Sequence, residues 1–157
     1  MKRITTSLAA LALAATGVVV LGSPAQAAGC GGPQEREFDT SGYNTDVYIR
    51  MCITENSQGQ VRASANGYWT DGGGLRKFDN FDIKVRLERV GGADIATARC
   101  DDTAEMNRAE SGTIQCTTRY ISGLNPARVT ADATVYYNLD SDGEGGFVWG
   151  LRGSPAG

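Results

Sequence analysis

The chain contains no histidine. Without an imidazole it has no Ser-His or Cys-His nucleophile system and no histidine ligand for a metal ion. It also has no glycine-rich loop, between a strand and a helix, of the kind that cradles phosphates. After residue 27 no apolar run approaches the length of a membrane span, so none is expected in the rest of the chain. Carboxylate chemistry, binding of hard cations and surface recognition remain.

The first 27 residues have the order of a secretory signal peptide. Lys2 and Arg3 form a basic start, an apolar run follows, and residues 25–27 supply a small-x-small cleavage site. This order predicts a signal peptide at 1–27 and a secreted, extracellular mature chain at 28–157, which is enough for one domain. Residues 27–30 also resemble a lipoprotein cleavage box. Acylation of Cys30 would leave three cysteines, so we expect a free secreted protein.

The charge balance is mildly acidic. The formal net charge is −3, and cleavage would remove two basic residues. A negatively charged chain is a poor ligand for polyanions, so nucleic acid is not an expected partner. We expect a monomer whose partner is an extracellular protein or glycan.

Apolar and polar residues alternate along most of the chain. Residues 81–88 alternate four large apolar side chains with four charged ones, which is typical of a strand with one buried and one solvated face. Glycine and aspartate separate such segments, and the best helical turn is 102–108. The remaining strands are predicted at residues 47–53, 61–69, 94–100, 113–121, 129–137 and 147–151. About seven short strands predict an all-β fold, an antiparallel β-sandwich, with a partly closed barrel as the alternative.

The four cysteines are expected to be oxidised outside the cell, and they allow three pairings. Cys100 ends one predicted strand and Cys116 lies in the next, which favours a bridge between them. Cys30 then pairs with Cys52 and ties the glycine-rich N-terminal segment to the first firm strand. The alternative, Cys52–Cys116, would staple two sheets as in immunoglobulin domains. The tyrosine expected two residues before the second cysteine is instead Ile114.

Several segments resemble those of small secreted proteins that are widespread in filamentous actinomycetes. The matching segments are residues 47–52, 78–81, 86–89, 135–140 and 153–155. That family has no assigned activity and no established functional residues. The resemblance therefore implies secretion and a common fold, and it implies no mechanism.

Two groups of carboxylates are candidates for acid–base chemistry. The groups are Asp101, Asp102 and Glu105, and Glu35, Glu37 and Asp39. A glycosidase needs two carboxylates at a fixed separation across a cleft, one with a raised pKa. Solvated loop charges or a helix cap are the alternative interpretation. Because no nucleophile motif accompanies them, we predict a protein that is not an enzyme, with a carboxylate-based extracellular hydrolase as the alternative.

Residues 138–143 match the opening half of an EF-hand calcium loop. Asn138, Asp140 and Asp142 place oxygen side chains at alternate positions before a glycine. The match ends there, because Trp149 stands where a bidentate glutamate belongs and no helices flank the loop. The segment predicts either a weak calcium site, in a calcium-stabilised surface protein, or a polar hairpin turn built on Asp-Gly. No other cofactor is expected.

Tyr68 and Trp69 precede a glycine-rich loop and are candidates for ligand binding. Exposed aromatic rings stack on carbohydrate or act as protein hot spots. Alternatively, Trp69 continues the buried face begun by residues 61, 63 and 65. Together these features predict a secreted, non-catalytic protein that binds a protein or glycan through the loops of a β-sandwich. Its size and layout are similar to those of small cystine-bridged proteins that inhibit hydrolases.

Overall fold

The computed structural model describes residues 29–74, 77–139 and 146–156. They form nine strands, one short helix, α1 (Thr103–Arg108), and a 3₁₀ turn, Pro126–Arg128. The strands are β1 (Gly29–Cys30), β2 (Gln34–Phe38), β3 (Thr45–Glu55), β4 (Val61–Thr70), β5 (Phe78–Arg89), β6 (Asp94–Asp101), β7 (Gly112–Thr117), β8 (Val129–Leu139) and β9 (Phe147–Leu151). In the described part of the chain, no helix is long and apolar enough to cross a membrane.

The strands form two antiparallel sheets, which confirms the predicted all-β sandwich. In the five-stranded sheet, β1 and β2 pair with the same side of β3, and β4 and β7 follow. The four-stranded sheet has the order β6-β5-β8-β9. All seven predicted strands are present, and β1 and β2 are additional edge strands at the N-terminal side. The predicted strand at 113–121 is shorter, because β7 ends at Thr117.

The core lies between the two sheets and follows the period-two pattern of the sequence. Every apolar member of the strongest predicted strands is fully buried: Val47, Ile49, Met51 and Ile53 in β3, and Phe81, Ile83, Val85 and Leu87 in β5. Burial of such a side chain contributes about 1.5–3 kcal/mol. Phe38 in β2 adds an edge-to-face contact with Tyr137, at 4.8 Å between ring centroids.

Both disulfides have the local pairing that the cysteine spacing favoured. Cys30 and Cys52 face each other across β1 and β3, and their bridge holds the N-terminal segment against the sheet. Cys100 in β6 is bridged to Cys116 in β7, so this disulfide joins one sheet to the other at an edge of the sandwich. The immunoglobulin-like alternative is wrong. Two such bridges are typical of proteins that fold in an oxidising compartment.

The opposite edge is closed by hydrogen bonds. The Gln34 side chain accepts from the backbone N–H of Arg152 and donates to its carbonyl oxygen, at 2.6 and 2.9 Å. Ser154 in turn exchanges two hydrogen bonds with the backbone of Ala131. The Gln34–Arg152 pair links β2 of one sheet to the chain that follows β9 of the other, and the Ser154–Ala131 pair holds that chain against β8.

The predicted helical turn is confirmed as α1. This helix has only 6 residues, and side-chain contacts hold it in place. Met106 is buried, and the Asn107 amide accepts from the N–H groups of Lys77 and Phe78. Lys77 itself is only 5% exposed. Its ammonium donates to the carbonyl oxygens of Tyr43 and Asp71, two acceptors that compensate for its burial.

Candidate functional site

The outer face of the five-stranded sheet carries two adjacent rows of side chains. Antiparallel register places Tyr48 of β3 opposite Tyr68 of β4, which lies opposite Thr113 of β7. The next row is Arg50, Asn66 and Gln115. We call this surface the tyrosine face; its members are Tyr48, Arg50, Asn66, Tyr68, Thr113 and Gln115. They line a shallow, open groove of about 530 Å³.

The two tyrosines stand on the sheet as a stacked pair. Their ring centroids are 4.7 Å apart and the planes differ by 17°. Tyr68 is 48% exposed, a large fraction for an aromatic side chain in the middle of a sheet. The pair therefore offers a rigid aromatic surface to a ligand, since each ring restricts the other.

Glu35 of β2 holds the Tyr48 ring in place and puts a negative charge next to its hydroxyl. The Tyr48 hydroxyl donates to the Glu35 carboxylate at 2.8 Å. This hydrogen bond, followed by desolvation, raises the pKa of Tyr48 to about 12. Tyr48 is therefore a neutral hydrogen-bonding phenol throughout the physiological range. Toward the start of β3, desolvation and then the charge of Glu37 raise the pKa of Asp46, because several carboxylates lie close together at that end of the sheet.

Of the two aromatics predicted to bind a ligand, only Tyr68 lies on this surface. Trp69 is 3% exposed and packs in the core. Its indole N–H donates to the Ala109 carbonyl oxygen at 3.1 Å. The reason is strand parity: Trp69 lies on the same face as Ala63 and Ala65, and Tyr68 lies on the other. Trp69 is therefore corrected to a core residue. The other five members of the tyrosine face were not predicted as site residues from the sequence: Tyr48, Arg50, Asn66, Thr113 and Gln115.

The group of Asp101, Asp102 and Glu105 lies at the start of α1, where Asp102 occupies the N-cap position but its side chain makes no capping hydrogen bond. Asp101 accepts a hydrogen bond from the Thr103 N–H at 2.9 Å, and hydrogen bonds from Thr103 lower its pKa. Asp102 precedes the helix, and one of its carboxylate oxygens is buried without a hydrogen-bond partner. Burial, reinforced by the charge of Asp101, raises the pKa of Asp102. Neither residue lines the groove of the tyrosine face.

The second carboxylate group, Glu35, Glu37 and Asp39, lies on β2 and directly after it. Glu35 accepts from Tyr48, and Glu37 accepts from the Asn44 amide. Asp39 follows the end of β2 and is exposed. Each of the two glutamates thus has a neutral partner, and neither lines the groove itself.

Asp101 and Asp102 are expected to affect stability with opposite signs. A raised pKa means that the folded state disfavours the charged form, so stability is lost as pH rises through the folded pKa of Asp102. A lowered pKa gives Asp101 a contribution that is present at neutral pH and lost as pH falls through its folded pKa. Asp102→Asn should therefore raise the urea midpoint at pH 7, and Asp101→Asn should lower it. Both differences should shrink near pH 3, below the ordinary value of 3.8. A shift of the same sign in both variants would contradict this assignment.

The calcium prediction falls mostly outside the described residues. Asp140 and Asp142 are not described, and Asn138 lies near the end of β8 with its amide oxygen buried and without a hydrogen-bond partner. Within residues 29–74, 77–139 and 146–156, no group of three or more cysteine or carboxylate side chains is arranged to hold a metal ion. Calcium binding at this loop stays a prediction from the sequence.

No protein-family model, curated protein or solved structure matches this chain. The tyrosine face is therefore interpreted from its own geometry. Its components are a stacked aromatic pair, a parallel row of polar side chains and a groove that both rows line on the outer face of one sheet. Such an arrangement suits the recognition of a ligand that has both apolar and hydroxyl-rich surfaces.

Proposed function

We propose that this chain is a secreted, non-catalytic binding protein that recognises an extracellular protein or glycan through the tyrosine face. The observation that carries the proposal is the half-exposed Tyr68, stacked on Tyr48 above a groove. An aromatic side chain held rigid at the surface loses little conformational entropy on binding, which is why such residues act as anchors. The sheet, rather than the loops expected from the sequence, is the surface that we assign to binding.

Two further features support an extracellular role. The two disulfides suit an oxidising compartment, and residues 1–27 have the order of a secretory signal peptide. We further propose that the protein belongs with the small secreted proteins of filamentous actinomycetes that its segments resemble. In that setting its partners would be cell-wall or environmental polysaccharides, or secreted proteins.

Tyr68→Ala is expected to abolish most binding, because it removes the anchor while leaving the core face of β4 unchanged. The matched control is Tyr43→Ala, since Tyr43 is 82% exposed and lies outside the tyrosine face. The measurement is retention of the purified protein on chitin, cellulose and peptidoglycan, together with cross-linking to the secreted proteome. Retention should fall about tenfold or more for Tyr68→Ala and stay unchanged for Tyr43→Ala. Equal retention of the two variants would remove the tyrosine face from the proposal.

A further inference from the structure

The apolar surface of the groove is limited to the two tyrosine rings and one proline. Ile49 and Ile114 border the groove, but their side chains are buried in the core, so the groove floor between them is backbone around Gly67. A stable protein interface buries about 800 Å² on each partner. The two rings and the proline expose far less apolar surface than such an interface buries, which favours a smaller ligand that lies within the groove.

The wall opposite the rings is a row of side chains that keep hydrogen-bonding groups available for a ligand. Among the described residues, no hydrogen bond or ion pair engages the side chains of Arg50 and Gln115. Asn66 donates to Ser64 and keeps its amide oxygen for another donor. Guanidinium and amide groups are planar and can each bond two neighbouring hydroxyls. The row runs parallel to the tyrosines, across β3, β4 and β7.

The dimensions and charge of this surface match a sugar chain. A pyranose ring has an apolar face of C–H groups, which packs on an aromatic ring, and a rim of hydroxyls, which needs donors and acceptors. The groove volume of about 530 Å³ lies within the range of small-molecule sites. Charges of both signs border the surface, with Glu35 and Asp46 toward the start of β3 and Arg50 beyond the rings. Neither an acidic nor a basic sugar is therefore complementary to the surface along its whole length.

We infer that the ligand of the tyrosine face is a neutral polysaccharide, stacked on Tyr68 and hydrogen-bonded by Arg50, Asn66 and Gln115. This inference rests on the proposed function and narrows it to one class of ligand. Stacking on Tyr68 provides affinity, and hydrogen bonds from the polar row select sugars by the positions of their hydroxyls.

The inference is tested by titrating the isotope-labelled mature protein separately with the hexasaccharides of glucose, N-acetylglucosamine, xylose and mannose, all in β-linkage. At least one should shift the side-chain amide resonances of Asn66 and Gln115 to saturation. Tyr68→Ala should weaken that binding at least tenfold, and Gln115→Ala should weaken it several-fold. Tyr43→Ala and Gln58→Ala are exposed controls away from the groove, and both should bind as the unaltered protein does.

Two results overturn the inference. One is that none of the four hexasaccharides shifts Asn66 and Gln115; the other is that only a charged hexamer, such as that of glucosamine, does so. The proposed function would survive either result if cross-linking to a secreted protein depended on Tyr68. If neither sugar nor protein binding depends on Tyr68, the proposed function fails as well.

Discussion

Replacement of Gly67 by alanine is expected to destabilise the protein by about 3 kcal/mol, at the upper end of the usual cost of overpacking. A β-carbon at this position would lie 1.9 Å from the Tyr48 carbonyl oxygen and 3.1 Å from the Cα of Ile49. Both are backbone atoms of β3, so no side-chain rotation relieves the contact. The two central strands of the sheet must separate locally, and the urea unfolding midpoint measures the loss.

Gly150→Ala is the matched control for this prediction. Gly150 also lies in a strand, β9, but a β-carbon there would meet no heavy atom within 4 Å. Its effect should stay within about 0.5 kcal/mol, as for ordinary surface substitutions. Equal losses in the two variants would show that the close approach of β3 to Gly67 does not govern stability.

Removal of the Cys100–Cys116 bridge by a double alanine substitution should cost about 3 kcal/mol on the chain-entropy estimate for a loop of this length. The structure adds a second contribution, because Cys116 is fully buried and its truncation leaves a cavity between the sheets. The Cys30–Cys52 bridge spans 22 residues, so the entropy of loop closure alone would give it a similar or slightly larger effect.

We expect removal of the Cys100–Cys116 bridge to destabilise the protein more than removal of the Cys30–Cys52 bridge does. This order is the opposite of the one that loop entropy alone gives. The latter frees only β1, a strand of two residues that can detach while both sheets remain intact. Urea unfolding of the two double-alanine variants decides between these orders. A larger loss for the Cys30–Cys52 variant would mean that loop entropy, and not the link between sheets, dominates.

Much of the fold could be predicted because it depends on a period of two. Burial of alternate residues follows directly from the sequence in β3, β5 and β8, and the same parity separates Tyr68 from Trp69. The cysteine pairing could also be predicted from the order of the segments along the chain. Each bridge joins segments whose order along the chain makes them neighbours.

The candidate site was harder to predict because it extends across three strands. Tyr48, Tyr68 and Thr113 meet only if the register of β3 on β4 and of β4 on β7 is known. The first register is set by a five-residue connection, and the second pairs strands that are far apart in sequence. Buried Lys77 was equally hidden, since its acceptors are backbone carbonyls of two separate loops. Composition predicts a lysine at the surface.

The hydrogen-bonded edge at Gln34 and Arg152 determines where the protein can be attached to a surface and where its chain can be rejoined. Gly31 lies so close to the segment at 153–154 that a β-carbon on it would be 3.2 Å from the Gly153 carbonyl oxygen. A surface tether attached near residue 29 or near residue 156 would therefore hold the domain by the same corner. A linker of a few residues could also join these two points, and cutting the connection at 56–60 would then create a circular permutant. Its sandwich would be unchanged, with its free ends at the tip of the β3–β4 hairpin, beyond the pairing of Gly29 with Ile53.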